Sequence, residues 1–498
     1  MKKRILNITA AILILCPLLF GQALTYKVVD TNQKDFYNSS SAITAPLPGA
    51  KFFGQDAGYS GYQPSYTDNG NGTITDNVTG LTWQKNMGSK ISYAEALIKA
   101  DTMTLGGYTD WRVPTIKELY SLILFSGQVN GERAIKKFID EDYFIQPLGD
   151  TSIGEREIDA QTWSSTHYKG LTFGRDSTIF GVNFIDGRIK GYPKYRPGSN
   201  NTTPNTMYFR LVRGNPAYGT NNFIDNNNGT ITDLATGLMW QKADDRNPRD
   251  WENALDYAEN LTLAGFSDWR LPNAKELQSI VDYSRSPSST NSPAINNVFS
   301  VSTINDPDGN PGHYPYYWTG TTHLDGAVPG SYAVYIAFGK AFGKINGTLL
   351  DVHGAGAQRS DPKSGDPSSY PQFMGPQGDA RIVFNFVRCV RDASVPNSAD
   401  NNSEIPIDFY LCQNYPNPFN PSTMIKYSIP GSDYPVRVQL KIFDMLGRQV
   451  CTLVDETKSP GIYTAQFDST KYSLGAGVYF CSLSTGIHSS VMKMVLLK

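Results

Sequence analysis

The sequence predicts an α+β chain in which two tandem copies of one strand–helix–helix–strand domain are followed by a small all-β sandwich. Three observations carry this. The stretch YTDNGNGTITDNVTGLTWQK, from Tyr66, returns from Phe223 as FIDNNNGTITDLATGLMWQK. Each copy then runs into a second shared block, LGGYTDWRVPTIKELYSLI ending at Ile123 and LAGFSDWRLPNAKELQSIV ending at Val281. Beyond residue 408 the pattern changes to short alternating strands. A repeat this long is a whole domain present twice rather than a solenoid unit, because each copy is large enough to bury a core.

The elements follow in chain order. Lys2, Lys3 and Arg4 precede an apolar run from Ile5 to Phe20, and Gly21-Gln22-Ala23 sets small residues at a cleavage site. Residues 1–23 therefore read as a secretory signal peptide. The run is too short and wrongly flanked for a membrane span, so the mature protein is expected to carry no transmembrane segment. Cys16 raises a lipoprotein reading, which Leu15 opposes by standing where a small residue is needed. Residues 24–65 form a leader expected to pack on the first domain, with Tyr26–Val29 as a candidate strand.

The first domain spans 66–214 and the second 218–392. Asn71-Gly72 and Thr79-Gly80 are turn signals around Thr73-Ile74-Thr75, which predicts a hairpin ahead of Leu81-Thr82-Trp83. Two helices then have written starts. Ser92 to Glu95 is a capping box ahead of a stripe formed by Tyr93, Ala96, Leu97 and Ala100. Asp250 caps the second copy's stripe of Trp251, Ala254, Leu255, Ala258 and Leu261. Thr115 to Glu118 and Asn273 to Glu276 are further capping boxes, each just after a proline. Strands follow around Trp163 and Trp318 and over 180–184 and 334–338. Each copy closes on paired arginines, Arg210 with Arg213 and Arg388 with Arg391. The second copy alone carries an insertion from about Asn346 to Asp379, read as a long loop and the first place to seek ligand contacts.

Residues 393–408 are a polar, proline-bearing linker, and 409–498 a further domain. Val436, Val438, Leu440 and Ile442 alternate with Arg437, Gln439 and Lys441, the mark of a half-buried strand. About six short strands separated by glycines predict a small sandwich. Without the signal, four cysteines remain: Cys389, Cys412, Cys451 and Cys481. A Cys451–Cys481 bridge and isolated small core residues are equal readings.

Composition limits function. With 18% charged residues and a formal net charge of −2 there is no electrostatic case for nucleic acid or an anionic membrane. The five histidines are scattered, and HExxH, GxSxG and GxxxxGK are all missing from the sequence. No enzyme and no cofactor are expected. Asp68-Asn69-Gly70-Asn71-Gly72 and its counterpart from Asp225 suggest calcium loops, but glycines fall where ligands belong and a turn explains them. Asp361 and Asp366 in the insertion read as solvated carboxylates or metal ligands. Trp111-Arg112 and Trp269-Arg270 read as core anchors with a locally paired arginine rather than sugar-stacking groups. The candidate ligand contacts are Trp163, His167, Trp318 and His323 at strand-to-loop transitions, with Asp351, His353 and Arg359 in the insertion.

Two resemblances add to this. GTITD, TGLxWQK, DWRxPxxKEL and the closing RxVR resemble the C-terminal domain family of Lcl, the Legionella collagen-like adhesin, over nearly all of 66–392. That resemblance implies a C-type-lectin-like fold, display outside the cell and, as in the named adhesin, binding of sulfated glycans. QNYPNPFNPST (413–423), FDMLGR (443–448) and LGAGVY (474–479) resemble the C-terminal sorting domain of the type IX (Por) secretion system. This one implies an immunoglobulin-like sandwich handled by the type IX machinery, and hence a secreted or outer-membrane surface protein. The resulting expectation is a glycan-binding adhesin with an extracellular polysaccharide as partner. The alternatives are a structural or protein-interaction module without a sugar site, and, further off, an enzyme on a fold like that of formylglycine-generating enzyme.

Overall fold

A computed structural model describes residues 24–129, 135–326, 328–370, 372–393, 410–411, 414, 417–429, 435–459, 461–472, 474–486 and 488–497. The signal peptide, the linker from residue 394 and Cys412 lie outside the described residues. The chain divides into two compact units at residue 394, and both are rich in strands with few helices.

In the first copy, β1 (Tyr66–Asp68), β2 (Thr73–Asp76) and β3 (Thr82–Gln84) form an antiparallel meander, with Ile74 opposite Trp83. The turn between β1 and β2 needs glycine: Gly72 has φ +85°, and an added Cβ would stand 3.1 Å from Leu105. Helices α1 (Tyr93–Thr102) and α2 (Ile116–Ser121) both start on complete capping boxes, each contributing about 1 kcal/mol. Strands β4 (Gln161–His167), β5 (Thr178–Asn183), β6 (Arg188–Pro193), β7 (Thr206–Phe209) and β8 (Val212–Arg213) complete it.

The second copy repeats the order. Its elements are β9 (Phe223–Asp225), β10 (Thr230–Asp233), β11 (Leu238–Gln241), α3 (Trp251–Glu259), α4 (Ala274–Ser279), β12 (Tyr316–His323) and β13 (Tyr332–Ala337). The insertion, expected as a loop, carries strands of its own. β14 (Phe342–Ile345), just ahead of it, forms a hairpin with β15 (Thr348–Asp351), and β16 (Gln358–Pro362) follows, before β17 (Val390–Asp392) closes the copy. Strand β16 pairs with β13 as β6 pairs with β5, so it belongs to the shared domain plan.

The two copies are not beads on a string. Strand β16 pairs antiparallel with β6, Gln358 opposite Ile189, and joins β12–β13–β16 to β6–β5–β4 in one eight-stranded sheet. One face of that sheet buries a core drawn from both copies, with Trp83, Leu119 and Val182 beside Trp240, Leu277 and Val334. The opposite face carries two separate cores, one under each long helix. In α1 the small Ala96 and Ala100 are buried, whereas Leu97, expected inward, is 41% exposed. In α3 the expected stripe from Trp251 to Ala258 is buried.

Residues 24–65 form no long strand and run along both copies. Thr31 O accepts from Phe125 N at 2.8 Å in the first. Toward the second, the Gln33 side chain pairs with Thr322 as a strand would, donating to its O and accepting from its N, both at 2.8 Å. The buried Asp56 carboxylate accepts from Thr31 at 2.7 Å and Thr321 at 2.6 Å.

The second unit holds two antiparallel sheets over one core. One sheet contains β18 (Tyr410–Leu411), β19 (Ser422–Ile429) and β22 (Gly461–Asp468). The other contains β20 (Val436–Asp444), β21 (Gln449–Lys458), β23 (Gly477–Ser484) and β24 (Ser489–Leu496). Val438, Leu440 and Ile442 of β20 point into the core as their alternation predicts. Cys451 and Cys481 sit on opposite sides of that strand, both across from Ile442. Two strand spacings, roughly 9–10 Å, put them beyond disulfide reach, so they are separate buried thiols.

Candidate functional site

The closing arginines and the DWR blocks form a framework that is the same in both copies. Arg210 is buried and donates to Gln84 O, Lys85 O and Ile145 O, while Arg388 does the same to Gln241 O, Lys242 O and Ser300 O. Arg213 and Arg391 reach Asp110 and Asp268, each at 2.7 Å. Trp111 and Trp269 are buried, and the adjoining Arg112 and Arg270 grip Glu118 and Glu276 of the following helix. Trp111 and Trp269 are thus core anchors with a locally paired arginine, as their sequence reading expects.

The residues expected to touch ligand fall in three places. Trp163 and Trp318 are wholly buried, their indole N–H groups donating to Ile91 O at 3.0 Å and Arg249 O at 2.8 Å. His167 is half-buried beside Tyr93, and burial lowers its pKa. Neither tryptophan presents a face to solvent.

His323, His353 and Arg359 come together at the junction of the copies. His323 bonds Ser360 Oγ at 2.8 Å and Asp186 O at 2.9 Å, and burial lowers its pKa to about 4. His353 bonds Asp379 at 2.7 Å, and burial lowers it to about 3, so both imidazoles are neutral at pH 7. Arg359 pairs with Asp379, and Arg188 with Asp186 and Asp325. With Lys190 the group sets three cations against three carboxylates, and its ion pairs span both copies. Asp351 lies apart, accepting from Tyr168 at 2.5 Å and from the N–H groups of Ala341 and Gly354. Burial raises its pKa to about 6.

In the turns weighed for calcium, Asp68 and Asp225 each meet a lysine at 2.5 Å. Asn69 and Asn226 tie the turn to the threonines of the next strand. Among the described residues no group of three or more His, Cys, Asp and Glu is placed to hold a metal ion.

A cleft of about 590 Å³ opens instead where the leader crosses the start of α4. Tyr59, Tyr62, Arg270, Asn273, Glu276 and Asp392 line it. Leu24, Val28 and Leu238 supply apolar wall. Tyr62 is 44% exposed, and the Arg270 guanidinium sits 5.2 Å from the Tyr59 ring centre. Arg270 is held by Glu276 through two bonds of 2.7 Å. The tyrosines escape a motif search because they lie outside the repeated blocks. The one sequence sign is the aromatic, glycine-rich run GYSGY at 58–62.

These features define a β-rich protein built from a duplicated domain and a separate sandwich. Residues 72–213 and 229–350 match the Lcl C-terminal domain, together more than half of the chain, and the protein belongs to that family. Residues 413–497 match the secretion system C-terminal sorting domain, which marks export by the type IX route to the cell surface or beyond. Neither family is a catalytic type. No curated protein matches the chain. Among the described residues no helix is long and apolar enough to cross a membrane.

Proposed function

We propose that this protein is a surface-displayed or secreted saccharide-binding adhesin whose binding site is the cleft between the leader and the second copy. Each copy is a C-type-lectin-like module in this reading, the tail is an immunoglobulin-like sandwich, and residues 1–23 direct the first export step. The observation that carries the reading is the cleft's combination of tyrosine faces with an Arg–Glu pair, an asparagine and a carboxylate. Sugars are held by stacking of their apolar faces and by directional polar bonds, and pockets of this size and mixed lining suit them. No cofactor enters the reading.

The second reading is a protein-interaction module without a sugar site, favoured by the burial of Trp163 and Trp318. A glycan array on the full chain, run with calcium and with chelator, separates the two. Saturable binding that Tyr62→Ala removes supports the cleft. A blank array with folded protein moves the function to a protein partner.

A further inference from the structure

Leu24 follows directly on the cleavage site read at Ala23, and it lies in the wall of the cleft. The two residues after it are pinned. Thr25 O accepts from Asn215 Nδ2 at 2.9 Å, and Tyr26 N donates to Ala235 O at 3.2 Å. The Leu24 side chain covers the turn beyond Ala235, its Cδ2 3.2 Å from where a Cβ on Gly237 would stand. The end of β17 lies against the same turn. Leu238 pairs with Asp392 in the β11–β17 ladder, and Ala393 N donates to Gly237 O at 2.9 Å. Leu24 and Asp392 therefore both abut Gly237-Leu238 and both open into the cleft.

The charges around Asp392 are otherwise committed. Arg270 is closed on Glu276 through two bonds of 2.7 Å, and Arg391 on Asp268 at 2.7 and 3.0 Å. Lys27 lies 4.9 Å over the Tyr62 ring. Asp392 makes no hydrogen bond or ion pair among the described residues. Burial raises its pKa, with Arg270 and Arg391 opposing and Glu276 and Asp268 adding to the rise. The first copy has Gly214 at this position.

We infer that removal of residues 1–23 adds a charged group to the cleft: the α-ammonium of Leu24 becomes the counter-ion of Asp392. Hydrolysis of the Ala23–Leu24 amide by a signal peptidase consumes one water. It leaves a carboxylate on Ala23 and an amine on Leu24 that is mostly protonated at pH 7. The uncharged amide nitrogen of the precursor is thereby replaced by a cation beside a carboxylate. The cleft's charges then close in two pairs, Arg270 with Glu276 and Leu24 with Asp392. This rests on the cleft and the export signal of the reading above, and holds whichever saccharide the cleft takes.

The test needs no ligand. The chain is released from a fusion so that it starts at Leu24, and an activated ester acylates its α-amine at pH 7, followed by the mass of the N-terminal peptide. Only the unprotonated amine reacts, so a paired ammonium reacts slowly. Asp392→Asn is expected to speed acylation about fivefold, the upper end for a pair at a solvent-open site, and Asp392→Glu to keep it slow. A chain that retains Ala23 should react fast with or without Asp392→Asn, because one residue moves the amine by about 3.8 Å. Thermal unfolding confirms that the variants fold, and the Ala23 comparison stands even if the Asp392 variants melt early. A Leu24 amine that reacts equally in the parent and in Asp392→Asn, or an Ala23 chain as slow as the parent, would overturn the inference and leave saccharide binding standing. A blank glycan array would overturn saccharide binding and leave the ion pair standing.

Discussion

Lys117 and Lys275 hold the same position in the two copies, and each donates to the end of the other's helix. Lys117 Nζ lies 2.6 Å from Ser279 O, and Lys275 Nζ lies 2.8 Å from Ser121 O. Each finds a further carbonyl in the segment entering the other copy, Gly219 O at 2.9 Å for Lys117 and Asp30 O at 3.0 Å for Lys275. With the β6–β16 junction, this reciprocity makes the repeat an internal dimer with approximate two-fold symmetry.

Burial lowers Lys117 from 10.5 to about 8 and Lys275 from 10.5 to about 7. Between those values and 10.5 the unfolded chain binds protons that the folded chain does not, so this contribution to stability rises with pH and is lost as pH falls through the folded values. The melting-temperature difference between the parent and Lys117→Met/Lys275→Met should therefore shift in the parent's favour from about pH 7 to about pH 10. A difference that stays flat would contradict it.

The junction network gives a second expectation. Arg188 of the first copy pairs with Asp325 of the second, both mostly buried. Arg188→Ala should destabilise the first unit by about 3 kcal/mol, because it strands Asp325 in a partly buried site. In a double-mutant cycle with Asp325→Ala the two costs should fall short of additive by more than about 1 kcal/mol in chemical denaturation. Additive costs would mean the contact does not hold the copies together.

Trp318 and Tyr62 should separate stability from binding. Trp318→Ala is expected to cost about 3–5 kcal/mol of stability, since it empties a fully buried site. Tyr62→Ala should leave the melting temperature nearly unchanged while abolishing saccharide binding. The reverse pattern would return Trp318 to the ligand site.

Cys451 and Cys481 should react with a thiol reagent only after denaturation, as both are buried and burial raises both pKa values. Reductant should leave the melting of the tail unchanged. A melting temperature lowered by reductant would reveal a bridge that the register forbids.

What the sequence made legible was local. The capping boxes at Ser92, Thr115 and Asn273, the Ile74–Trp83 turn and the β20 alternation are decided within a few residues, and each is found where its pattern puts it. Leu97 failed because Ala96 and Ala100 let α1 lie close on the sheet, which turned the larger side chain outward. The insertion reads as a loop because its Gly, Pro and Asp mark turns, while β16 within it gains its order from partners far away in sequence. The cleft is illegible for the same reason. Tyr62 and Asp392 line one cleft because the leader folds back across the second copy, and no local pattern encodes that approach.

The duplicated sequence forms one body, and the proposed function gives it one binding cleft. Calorimetric titration of the full chain with a saccharide that the glycan array identifies measures this most directly through stoichiometry. One ligand per chain, lost in Tyr62→Ala, is the predicted result. Two equivalent sites per chain would contradict it and return the copies to independent modules.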